Sequence, residues 1–123
     1  NLEVADYMSR CRAFVYAGLE DFGIAPIEAL ASGAPVIALG RGGILDSINC
    51  FTKCTPNQIP NGILFNNQTS ADIFDTVNWF EDGKIWRNFD PKSLNNYAQK
   101  FNSQNFKTKL DLYINKAWSN FKK

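Results

Sequence analysis

Three short apolar runs punctuate the chain. Ala13–Ala17, Pro35–Leu39 and Gly62–Phe65 are unbroken by charge and do not alternate with polar residues. Runs of that length and composition read as strands buried on both faces. Between and around them the apolar spacing becomes helical. Leu2–Cys11 predicts a short helix offering Leu2, Ala5, Tyr7 and Met8 to one side. Ala25–Ser32 predicts a second, with Pro26 in its first turn, Gly33 as its C-terminal cap and Pro35 preventing continuation. Ile27, Leu30 and Ala31 share a face there. Ile44–Asn49 can start another short helix, and Phe51–Pro60, with two prolines, reads as loop. Ser70 is the expected N-cap of a helix running to Glu81, with Ile73, Val77 and Phe80 inward and Asp82-Gly83 as its stop. Pro91–Phe101 and Asn105–Phe121 read as closing helices, the last with a stripe of Leu110, Tyr113, Ile114, Ala117 and Phe121 expected in the core.

Strand alternating with helix predicts an α/β fold: a Rossmann-like parallel sheet with helices on both faces. Ligands in such sheets bind beyond the carboxyl ends of the strands. Two loops leave such ends, Gly18–Gly23 and Gly40–Gly43.

The length, 123 residues, suits one domain, and 45% hydrophobic residues suffice for a core. The chain starts at an acidic segment without Met, which reads as a piece of a longer protein. No apolar run reaches a bilayer-spanning length and no leader pattern occurs at the start. The net charge of +1 gives no reason to expect nucleic acid as a partner. There is no histidine, which removes Ser-His and Cys-His dyads and imidazole metal ligands within this chain. Cys11, Cys50 and Cys54 have no zinc-like spacing and read as reduced cytosolic thiols.

The chemistry concentrates in Gly18–Ala38. Glu20 lies in the loop at a strand's carboxyl end, and Glu28 about one turn into the helix that follows. Gly23 permits close backbone approach. The first N–H groups of that helix suit a phosphate; because Pro26 has none, the donors fall to Gly23, Ile24, Ala25 and Ile27. Carboxylates repel phosphate but accept strongly from hydroxyls, so the combination suits a ligand carrying both. A purely structural alternative stays open: Glu28 as a capping-box residue returning to Ala25, and Asp21 as a favourable charge at the helix start.

Glu20-x7-Glu28, enclosing Phe22-Gly23-Ile24 and followed by Ala31-x-Gly33-x-Pro35-Val36-Ile37-Ala38, resembles the signature of family 4 glycosyltransferases of the GT-B fold. Gly42-Gly43 continues the pattern, with Asp46 where many members carry Glu. The resemblance is dense over Ala13–Asp46, looser to Phe121, and closest to bacterial mannosyltransferases of surface polysaccharide synthesis. It implies that residues 1–123 form part of the C-terminal, donor-binding domain, the acceptor domain and the phosphate-binding Arg and Lys lying upstream. It implies that Glu28 holds the nucleotide ribose, that Glu20 contacts the donor hexose and is the catalytic candidate, and that the amides of Phe22, Gly23 and Ile24 take hexose hydroxyls and the distal phosphate. Gly42 and Gly43 would line the same cleft. The implied reaction is retaining transfer of a hexose, mannose first, without metal or cofactor. The donor would be GDP-mannose, with UDP-sugars behind, and the acceptor a saccharide or lipid-linked saccharide. The fragment alone would be inactive, and the location cytoplasmic. A nucleotide-sugar epimerase and a non-catalytic sugar-nucleotide-binding module are the alternatives.

From Lys84 to Lys123 nine basic residues stand against two acidic ones, Asp90 and Asp111. Peripheral contact with anionic lipid is compatible with that charge; a solvated face is the plainer reading. Trp79, Trp86 and Trp118 read as packing anchors, and Arg41 as an exposed loop residue.

Overall fold

A computed structural model describes residues 2–18, 24–101, 111–112 and 114–119. The elements in order are α1 (Leu2–Arg10), β1 (Phe14–Tyr16), α2 (Ile24–Ala31), β2 (Val36–Leu39), α3 (Ile44–Ser47), β3 (Gly62–Phe65), α4 (Ser70–Asp82) and α5 (Pro91–Ala98). The three strands form one parallel sheet in the order β1-β2-β3. Phe14 pairs with Val36, and Val36 in turn with Gly62.

β2 is the centre. All four of its residues are buried, so both faces of the sheet are covered there, as its unbroken apolar run predicts. Burying a Val, Leu or Ile side chain contributes about 1.5–3 kcal/mol each, so this strand anchors the fold. β1 departs from expectation. It is an edge strand among the described residues, and Val15 is 43% exposed, so it is not buried on both faces.

α2 packs against α1, β1 and β2 with Pro26, Ile27, Ala29 and Leu30 buried. Ala31, expected on that face, is exposed; Ala29 takes its place. Gly33 then adopts φ +89°, the left-handed geometry that ends the helix, and a Cβ there would lie 2.9 Å from Pro91 Cβ. That close approach lets α5 lie along α2, where the Asn95 amide donates to the Ala31 carbonyl at 2.6 Å. Within α1, Met8 is buried, whereas Tyr7 is exposed beneath the Arg10 guanidinium.

α3 is a single turn. The chain is extended again at Ile48, because Cys50 must bridge to Gly62 at the start of β3. A buried polar cluster fixes this crossing: Asn49 N–H donates to Asn61 Oδ1 at 2.6 Å, while Asn61 Nδ2 and the Tyr97 hydroxyl both donate to the Ser47 carbonyl, at 3.1 and 2.7 Å. The expected loop at 51–60 opens with a 3-10 turn, Phe51–Lys53.

Thr69, not Ser70, caps α4: its hydroxyl accepts from Asp72 N–H at 3.2 Å. Phe80 is buried, and Ile73 and Val77 pack on the core beside it, as the helical spacing predicts. Gly83 ends the helix, Lys84 turns left-handed at φ 51°, and an unforeseen 3-10 turn, Ile85–Asn88, leads to α5. Trp86 packs against the core with Arg12 and Arg87 over its ring. The final segment corrects another expectation. Residues 111–112 and 114–119 are helical, but Ile114 and Ala117 are exposed, so this part of the stripe is not core. Leu110, Tyr113 and Phe121 lie outside the described residues. No helix among the described residues is long and apolar enough to cross a membrane.

Candidate functional site

Because the strands are parallel, the segments leaving β1, β2 and β3 emerge at one edge of the sheet. They are Ala17-Gly18, Gly40–Gly43, and Asn66–Thr69. The short strand-to-loop junctions are set by the sequence: each apolar run ends where a Gly or Asn supplies a turn.

α2 starts at Ile24, one residue earlier than expected. The N–H groups of Ile24 and Ala25 therefore lie in the first turn without an i−4 partner inside the helix, whereas that of Ile27, the fourth helical residue, stands where the first intrahelical bond forms and is not the free donor expected. Ile24 is 65% exposed, so this helix end is open to solvent. Pro26 occupies the third helical position and is buried. Glu28 is consequently the fifth helical residue, beyond the position from which a capping box could close. Its side chain is exposed, and no hydrogen bond or ion pair engages its carboxylate among the described residues. Its backbone carbonyl is occupied, accepting from Ser32 N–H and Oγ at 3.1 and 3.0 Å. The capping-box alternative for Glu28 is thereby removed. Asp21, Glu20, Phe22 and Gly23 lie outside the described residues.

The second loop begins as a continuation of the ladder, with Gly40 N–H donating to the Phe65 carbonyl at 2.9 Å. Gly42 then takes φ +77°, a left-handed turn that glycine adopts without steric cost, and it is exposed. Gly43 is buried at the start of α3, where Asp46 N–H donates to its carbonyl at 3.1 Å. Arg41 is exposed and forms no ion pair among the described residues. Ile24, Glu28, Gly42 and Gly43 thus all follow the carboxyl ends of β1 and β2, as the sequence pattern requires.

One component escaped the sequence reading. The loop after β3 crosses towards the loop after β1, where Gln68 Nε2 donates to the Ala17 carbonyl at 2.7 Å. The rule that singled out the first two loops applies equally to the third, and that was the available signal. Among the described residues no group of three His, Cys, Asp or Glu side chains is arranged to hold a metal ion.

A sequence model for a family described as glycosyl transferases, group 1, matches residues 1–101. No curated protein matches the chain.

Proposed function

Since this chain belongs to the group 1 glycosyl transferases, a membership resting on 101 of its 123 residues, we propose that its carboxyl edge binds the nucleotide-sugar donor of a retaining hexosyl transfer. The observation that carries this reading is Glu28: an exposed carboxylate, unengaged among the described residues, one turn into helix α2. An exposed carboxylate with no partner among the described residues can accept hydrogen bonds from ribose hydroxyls, and charge-assisted bonds of this kind are worth about 1.5–3 kcal/mol each. The first-turn amides of α2 offer donors to the distal phosphate. In this reading Phe22, Gly23 and Ile24 present their backbone to the hexose and phosphate, Gly42 and Gly43 line the cleft, and Glu20 contacts the hexose.

The chemistry then needs little from side chains as acids or bases. The bond between the anomeric carbon and the diphosphate oxygen breaks, and the acceptor oxygen bonds to the same face of that carbon. The acceptor proton passes to the departing diphosphate. The protein positions the donor and stabilises charge on the leaving group, work suited to a chain without histidine. No metal is required by this scheme. Mannose carried on GDP is the first donor to test, with UDP-sugars second; the acceptor is a saccharide or lipid-linked saccharide. Residues 1–123 are read as part of the donor-binding domain.

The test is transfer by the complete polypeptide. Product NMR should show an anomeric centre of unchanged configuration, and Glu20→Ala should lower kcat by much more than it weakens nucleotide binding. Inversion at the anomeric carbon, or an unaltered kcat in Glu20→Ala, would overturn the reading.

A further inference from the structure

We propose that a cleft at the amino edge of the sheet is a second ligand site, one that takes a small anion with a flat apolar body and a carboxylate or phosphate head. The inference does not depend on the donor-site reading. The cleft has a volume of about 320 Å³ and is bounded by Arg12, Gly33, Pro35, Trp86, Arg87 and Phe89. Arg12 precedes β1 and Pro35 precedes β2, where Phe14 N–H donates to the Pro35 carbonyl at 2.9 Å. The cleft therefore stands at the strand starts, across the sheet from the loops that leave the strand ends. Small-molecule sites combine an apolar lining with a few polar groups that fix orientation, and this cleft has both.

Two guanidiniums lie over the Trp86 ring, Arg12 at 5.4 Å and Arg87 at 5.3 Å from its centroid. They differ in what neutralises them. Arg12 is paired with the Glu81 carboxylate at 2.5 Å. Arg87 forms no ion pair among the described residues. Asp90, close to it in sequence, accepts instead from the Ser93 N–H and hydroxyl at 3.1 and 2.8 Å. The indole holds the Arg87 guanidinium in place, so its planar fork is ready for carboxylate or phosphate oxygens. Pro35 and Phe89 are buried and supply an apolar floor for the body of the ligand. Trp86 adds an independent sign: its Nε1–H is buried and has no acceptor among the described residues. Buried donors of this kind are normally satisfied, and the cleft that the ring borders is where an acceptor would enter.

The experiment titrates the complete protein, by calorimetry, with naphthoate, naphthyl phosphate and the neutral naphthalenemethanol. At least one anion should bind saturably, the tighter of the two identifying the head group, and the neutral compound should bind at least about 10-fold more weakly. Arg87→Met should weaken anion binding at least about 5-fold with Tm unchanged, and Arg87→Lys should lose less. Cys11 is exposed and borders the same cleft, so the anion should slow its alkylation by iodoacetamide, read by mass spectrometry. A nucleoside diphosphate sugar should not displace the anion. Absence of saturable binding, equal affinity for the three probes, or wild-type affinity in Arg87→Met would each overturn the proposal. So would displacement by the nucleotide sugar, or a Cys11 whose alkylation the anion leaves unchanged. Should Arg87→Met lower Tm, the protection of Cys11 in the wild-type protein still decides.

Discussion

Gly62 lies opposite Val36 in the β2–β3 ladder, so close that a Cβ on it would stand 2.4 Å from the Val36 carbonyl oxygen and 2.9 Å from Ile48 Cγ2. The first of these neighbours is backbone in the centre of the sheet and cannot move aside. Gly62→Ala should therefore destabilise the fold by about 3 kcal/mol, the upper part of the usual range for overpacking, or prevent folding. Gly40→Ala is the matched comparison: its nearest contact is 3.3 Å, to Leu64 Cβ, and it should cost less than about 1 kcal/mol. Urea unfolding of both variants tests the pair; equal midpoints would contradict it.

Asn61 is buried, and its side chain satisfies two backbone groups at the crossing from α3 to β3. Removing it strands the Asn49 N–H and takes one donor from the Ser47 carbonyl. Asn61→Ala should cost about 2–4 kcal/mol, combining unsatisfied polar groups with a cavity. Asn61→Asp retains the acceptor for Asn49 but sets a carboxylate oxygen against the Ser47 carbonyl, so it should be destabilising too. Denaturant midpoints within error of wild type for both would refute this role.

Tyr97 gives the same cluster a pH dependence. Burial pushes its phenol above the ordinary value of 10, outweighing the opposing effect of a side-chain hydrogen bond with Asn61. A raised folded-state pKa means that the native state holds this proton more tightly than the unfolded chain. The resulting stability is fully present below pH 10 and is lost as pH rises from 10 through the higher folded value. Thermal melts between pH 9 and 11 should show a steeper decline for wild type than for Tyr97→Phe. Parallel declines would show that Tyr97 does not contribute.

β2 and β3 were legible because local sequence determines them. Val36–Leu39 and Gly62–Phe65 are continuous apolar runs, and Gly33 with Pro35 marks the end of α2 without reference to any distant residue. What escaped was decided by neighbours. Val15 is exposed because β1 is an edge among the described residues, and a strand's own residues do not specify what stands beside it. Thr69 and Ser70 are both competent caps; only the extended backbone at Thr69, φ −130° and ψ 152°, brings its hydroxyl to the Asp72 amide. The 3-10 turn at Ile85–Asn88 follows a left-handed Lys84, a conformation that its residue type does not signal. Gln68 and Ala17 are 51 residues apart and meet only because the sheet order brings their loops to one edge. At the candidate site, sequence spacing placed Glu28 one turn into its helix, but only the helical backbone at Ile24 and Ala25 removes a capping box closing on Ala25.

Equilibrium binding of a nucleoside diphosphate sugar to the complete protein, compared between wild type, Glu28→Gln and Glu28→Ala, tests the central claim most directly. The Glu28 carboxylate, unengaged among the described residues, is proposed to hold the ribose, so its removal should weaken Kd at least about 10-fold in Glu28→Ala, equivalent to about 1.4 kcal/mol, with a smaller loss in Glu28→Gln and an unchanged Tm in both. Wild-type affinity in Glu28→Ala would contradict the account.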